Sequence, residues 1–149
     1  MAVPEAAQGI TAVVVTYNPD PEQLARLCQA VQPQVEHVVL VDNGSSAETL
    51  AALQALVEGP SSALTLLAQG ENRGIGAAQN AGIAMARQHG SRYVLLLDHD
   101  SIPEADMVAT LRAAIEDQPA GSPPVAAAGP RYADARQTTN PSPFVQLEG

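Results

Sequence analysis

The sequence predicts an α/β fold, a mostly parallel sheet with helices on both faces. Short β-branched, apolar runs alternate along the chain with longer segments of helical period. The short runs are apolar throughout, as strands covered on both faces must be. Polar clusters close them: Thr16-Tyr17-Asn18, Asp42-Asn43-Gly44-Ser45 and Asp98-His99-Asp100-Ser101. Parallel strands joined by right-handed crossovers bring such ends to one sheet edge, where open α/β sheets bind ligands.

Taken in order, Ile10 to Thr16 is the first buried strand. Pro19-Asp20-Pro21 breaks it, and Pro21 suits the first turn of a helix through Leu24, Leu27, Cys28 and Val31, which Pro33 stops. His37 to Val41 is the second strand. Ser45 or Ser46 caps the next helix, whose Leu50, Leu53, Leu56 and Val57 share one face until Gly59-Pro60 closes it. Leu64 to Leu67 is a third strand. Gly74 to Gln88 reads as an Ala-rich helix with Ile75, Ala78, Gly82 and Met85 inward. Gly90 ends it, and Tyr93 to Leu97 is the fourth strand. Pro103 and Glu104 open a helix through Met107, Val108, Leu111 and Ile115, and Val125 to Ala128 is expected to be a fifth strand. From Gly129 to Gly149 three prolines and no period predict a loop, or a segment awaiting a partner. Residues 1–129 are thus expected to form the α/β domain, and the early stop after the last strand suggests a fragment.

With 149 residues, 46% of them hydrophobic, the chain fits one domain with a real core. Aromatics make up only 3%, so Ala, Val and Leu must fill it. A net charge of −9 argues against nucleic acid as a partner. It also means that an anionic ligand would need a metal and backbone N–H groups for most of its positive charge. The single cysteine, Cys28, excludes an internal disulfide and a zinc cluster. Met1 to Gly9 lacks the pattern of a signal peptide, and no apolar run reaches the roughly 18 residues of a membrane span. The expected location is cytoplasmic, with contact to the membrane surface left open.

Asp98 and Asp100 are delivered into a loop by Tyr93-Val94-Leu95-Leu96-Leu97. Their spacing suits a hard cation, Mg²⁺ or Mn²⁺, carrying a phosphorylated ligand. A solvated strand-end loop explains them as well. Asp42 also leaves a buried strand: it could meet a ribose hydroxyl or a base N–H, or serve the turn that Asn43-Gly44 signals. Asn72-Arg73-Gly74-Ile75-Gly76 departs from the dinucleotide fingerprint, because Gln79 stands where its third glycine would fall and the motif follows the third strand. Close backbone approach and tight helix packing explain those glycines better. Arg73 has two readings, a nucleotide contact or a surface ion pair. His99 is expected to face solvent or stand behind the acids.

Four stretches together resemble the inverting nucleotide-sugar glycosyltransferases of family 2, which have the GT-A fold. They are Ala12 to Asn18, Val39 to Ser45, Glu71-Asn72-Arg73-Gly74 through Asn80-Ala81-Gly82, and Tyr93 to Ser101. Leu96 to Ser101, followed by Gly129-Pro130-Arg131-Tyr132, is most similar to the rhamnosyltransferase branch, which builds bacterial cell-surface polysaccharide from dTDP-rhamnose. That branch commonly has Gln where this chain has His99, a departure expected to matter little for metal binding.

The resemblance implies that Thr16, Tyr17 and Asn18 line the nucleotide pocket and that Asp42 and Arg73 contact the base, with Asn43 and Gly74 beside them. Asp98 would approach ribose or metal, and Asp100 would bind a divalent Mg²⁺ or Mn²⁺ bridging the diphosphate. The implied acceptor is a glycan or lipid-linked sugar. The implied catalytic base lies beyond Gly149, so this donor-binding half is expected to transfer little or nothing alone. Two other classes compete. A non-catalytic nucleotide-sugar-binding module would bind without transfer. A nucleotidyltransferase would need a basic, Gly-rich loop after the first strand, which Thr16-Tyr17-Asn18-Pro19-Asp20 does not provide.

Overall fold

The computed structural model describes residues 4–59 and 63–130. Four strands form one sheet: β1 (Ile10–Thr16), β2 (His37–Asp42), β3 (Leu64–Ala68) and β4 (Tyr93–Asp98). Four helices accompany them: α1 (Pro21–Val31), α2 (Ala47–Val57), α3 (Ile75–Gln88) and α4 (Met107–Glu116). The strand order is β3-β2-β1-β4 and every pairing is parallel. All carboxyl ends therefore lie along one edge. The chain builds outward from β1 to β3, then crosses over to place β4 on the other side of β1. That reversal makes a topological switch point between β1 and β4.

Every residue of β1 is buried, and strand alternation divides its side chains between two cores. Ile10, Ala12 and Val14 pack with Val38, Leu40, the α1 stripe Leu24, Leu27, Cys28 and Val31, and with Leu53 and Val108. Val13 and Val15 pack with Val39, Val41 and Ala78 on the opposite face. So α1, α2 and α4 cover one side and α3 the other, as the unbroken apolar strands require. Burial of Cys28 among aliphatic side chains disfavours its thiolate and pushes the thiol up to about 11. Below that range it is a small apolar group, inert as a nucleophile.

Local sequence sets the helix ends. Asp20 caps α1 by accepting from Gln23 N at 2.8 Å, with Pro21 at the first helical position. Ser46, one of the two expected candidates, caps α2 by accepting from Thr49 N at 3.2 Å.

Three expectations are corrected. Val125 to Ala128 forms no strand; these residues follow two prolines and lie outside regular structure. The last helix starts at Met107, because Pro103 to Asp106 forms an irregular approach and a turn. Ile75 is 56% exposed, not inward, because it begins α3 where the helix has passed beyond the sheet edge. The expected loop beyond Gly129 falls mostly on residues 131–149, outside the described residues. Among the described residues, no helix is long and apolar enough to cross a membrane.

Gly82 fixes how closely α3 lies on the sheet. A Cβ there would run into both Val13 methyl carbons and approach Val41 Cγ2 at 3.1 Å. Overpacking of about 1–3 kcal/mol outweighs the roughly 1 kcal/mol helix-propensity gain. Gly82→Ala should therefore lower the urea midpoint, whereas Gly76→Ala, whose Cβ meets nothing within 4 Å, should hold or raise it.

Candidate functional site

The loops at the carboxyl edge are built around a buried carboxylate. Asp42, 1% exposed, accepts from Ser45 N at 3.0 Å and Gly44 N at 3.3 Å through Oδ2. Its Oδ1 accepts from the Ser45 hydroxyl and, more weakly, from Thr16 Oγ1 at 3.4 Å. A carboxylate offers about four acceptor positions; three here have donors from Gly44 and Ser45, and the Thr16 hydroxyl divides its one proton between Oδ1 and Val41 O at 3.5 Å. The turn reading of Asp42 is thus realised. A base N–H reaching it would have to displace the Ser45 or Thr16 hydroxyl.

Two asparagines join this loop to its neighbours. Asn43, also buried, donates from Nδ2 to Asn72 Oδ1 at 3.1 Å and accepts from Arg73 N at 2.9 Å. Asn72 Oδ1 accepts in addition from Gly74 N at 3.0 Å. Gly44 permits the approach: its φ is +88°, and a Cβ would lie 2.6 Å from Asn72 N. On the other side Asn18, itself at φ 44°, accepts from Ser46 N at 2.9 Å and donates its own N–H to Ser45 Oγ at 2.8 Å. The loops after β1, β2 and β3 are therefore one hydrogen-bonded frame.

The loop after β4 is held differently. Ser101 N donates to Asp98 O at 3.2 Å, closing a turn. His99 Nδ1 lies 3.3 Å from Val15 O, and Gln23 Nε2 donates to Asp100 O at 3.0 Å. Asp98 and Asp100 are exposed, and neither carboxylate has a partner among the described residues. Asp98 also lines an open groove with Leu96, Leu97, Ile102, Pro103 and Met107.

The sequence candidates thus divide in two. Thr16, Asp42 and Asn43 are buried and hold the frame. The others are exposed: Asn18, Arg73 and Gly74 form the rim of the frame and are joined to it by the bonds above, while Tyr17, 49% exposed, Asp98 and Asp100 have no described side-chain bond to it. Arg73 pairs with Glu71 at 3.1 Å, both exposed, a contact of little energetic worth that a ligand can replace. Asp42 and Asp98 share the edge, two strand spacings or about 10 Å apart. They leave by opposite faces, because Thr16 pairs with Asp42 whereas Val15 pairs with Asp98.

Among the described residues no group of three or more His, Cys, Asp or Glu could hold a metal. Two exposed carboxylates beside a crevice still fit a hard cation that takes its remaining oxygens from a ligand or water. Sequence reasoning named Asn72 within a motif without giving it a role, and missed Gln23 and Gln69, whose Oε1 is a buried acceptor with no partner among the described residues. Nothing in the local pattern around the two glutamines marks them.

Residues 11–143 match the family pattern described as Glycosyl transferase family 2. The chain belongs to that family. Its parallel sheet with helices on both faces is the Rossmann-like GT-A arrangement. This family 2 chain is also 37% identical over 92 residues to a dTDP-rhamnosyl transferase, RfbF, of Shigella flexneri. The match covers 62% of the chain and 29% of that relative, so the chain spans under a third of the relative's length in the alignment.

Asn43→Ala should loosen the family 2 frame. It leaves Arg73 N and Asn72 Oδ1 short of a partner beside a buried position, at about 1–3 kcal/mol. Chemical denaturation should show that loss, and Asn43→Asp, which keeps the acceptor for Arg73 N, should recover part of it.

Proposed function

We propose that this domain binds a nucleoside-diphosphate sugar in the crevice between β1 and β4 and serves as the donor side of a glycosyltransferase. One observation carries the reading: two exposed, unpartnered carboxylates stand at the switch point of a parallel sheet, in a chain of family 2. Open α/β sheets take ligands at that place. The exposed Tyr17 ring, with Asn18, suits the nucleoside, because an aromatic face stacks on any base. Arg73 is free to exchange Glu71 for a base oxygen or a phosphate. Asp42 and Thr16 support the nucleoside from beneath; direct contact with the base needs one hydroxyl to swing aside.

Asp98 and Asp100 would hold Mg²⁺ or Mn²⁺. When bound, the cation offsets the charge of the diphosphate and stabilises it as a leaving group. The net charge of −9 favours that assistance, since an unescorted diphosphate would meet like charge. The donor is dTDP-rhamnose, supported by the likeness to RfbF, and the acceptor is a cell-surface glycan or its lipid-linked precursor. The transfer would be a single inverting displacement, in which the acceptor hydroxyl oxygen bonds to the anomeric carbon, gives up its proton to a base, and the nucleoside diphosphate leaves. Action at the cytoplasmic face of the membrane accords with a lipid-linked acceptor.

Calorimetric titration of dTDP, UDP and GDP, each with and without Mn²⁺, tests the reading. Binding of dTDP should be tightest and Mn²⁺ should improve it by roughly tenfold, about 1.4 kcal/mol. Asp100→Ala should erase the Mn²⁺ gain while leaving metal-free binding unchanged. A gain that survives in Asp100→Ala would put the metal elsewhere and end this assignment.

A further inference from the structure

The geometry points to His99, assisted by Gln23, as the positioning residue that aims the Asp98–Asp100 pair into the crevice. The inference rests on the proposed nucleotide reading and names what makes that site usable.

The problem it solves is visible in the register. The β1–β4 ladder ends at the pair Val15↔Asp98. At that pair and two residues past it the chain must present two carboxylates that have no partner among the described residues. Among the described residues, β4 has β1 as its one neighbouring strand in the sheet. The frame that unites the other three loops does not extend to residues 98–101 through any described side-chain bond. Left there, the acid loop would pivot on its last ladder bond, and a cation site gains from carboxylates held in place before binding.

Two side chains supply the missing restraint. The half-buried His99 ring turns toward β1 and reaches Val15 O at 3.3 Å, continuing the tie between the strands past the end of the ladder. Because a carbonyl only accepts, Nδ1 carries the proton in this contact. Gln23, in the first turn of α1, holds the next peptide by donating to Asp100 O at 3.0 Å. The loop is therefore fixed at the residue between the acids and at the backbone of the second acid. Neither tether uses a carboxylate oxygen, so both acids stay open to a ligand.

The donor at the δ position is the feature that matters. Asn places an N–H at a similar distance from the backbone, whereas Ala removes it. In the ligand-free protein, His99→Ala should speed amide hydrogen exchange in residues 99–102 and leave β1 unaffected. In titrations of dTDP it should cut the Mn²⁺ gain by roughly three- to tenfold, the worth of one hydrogen bond, without altering metal-free dTDP binding. His99→Asn should restore most of both. Should His99→Ala fail to fold, Gln23→Ala puts the same question through the second tether, on an exposed bond.

Unchanged exchange in the loop would overturn the inference whatever the nucleotide does. So would a full Mn²⁺ gain in His99→Ala, or failure of Asn to rescue a well-folded variant. Absence of any Mn²⁺ gain in the unmodified protein would instead overturn the metal reading on which the inference stands.

Discussion

A carboxylate taken out of water must find donors close at hand, and Asp42 finds all of its donors within two adjoining stretches of chain. That requirement shapes the whole carboxyl edge. It folds residues 42–45 into a tight turn, brings Ser45 under Asn18, and presents Asn43 to Asn72. Gly44 follows from it, since only a residue without Cβ lets the third loop come so near. The polar residues of the edge are therefore of two kinds. An inner, buried set spends its hydrogen bonds on the protein, and an outer, exposed set keeps side-chain groups open to something else.

The outer set has a location that the topology dictates. Chain reversal puts a topological switch point between β1 and β4, with the Tyr17–Asn18 segment following one strand and the Asp98–Asp100 loop following the other. An acidic protein that binds a diphosphate must recruit positive charge from a cation or from backbone N–H groups. The placement of unpartnered acids at that switch point, in a chain of family 2, makes the cation the economical choice. Stability and function overlap only at the rim: Thr16, Asp42 and Asn43 hold the edge from buried positions, while Asn18, Arg73 and Gly74 both bond to it and remain exposed.

Much of this was legible in the sequence because strands covered on both faces leave an unambiguous apolar signature. Each of the four strands, and the burying stripe Leu24, Leu27, Cys28 and Val31, lies where the pattern puts it. Val125 to Ala128 misled because a short apolar run near prolines has the composition of a strand, yet among the described residues no strand pairs with it. Ile75 misled because helical period cannot show where a helix overruns its sheet. At the edge, the sequence showed which residues were polar and that they would gather, but not which would be buried. Asp42 and Asp98 look alike in the chain, each acid ending an apolar run. A register offset of one residue sends them to opposite faces. The contacts of Gln23 and His99 are long-range in the chain and leave no local mark.

The central claim, that a nucleotide meets the outer residues of this edge while the inner frame stays intact, is tested most directly by mapping backbone amide shifts during a dTDP titration with Mg²⁺. The account predicts large shifts at Tyr17, Asn18, Arg73, Gly74 and His99 to Ser101, with Val38 to Leu40 and the far ends of the strands unmoved. Shifts centred on the amino-terminal edge, around His37 and His89, or confined to the α1–α2 surface, would contradict it.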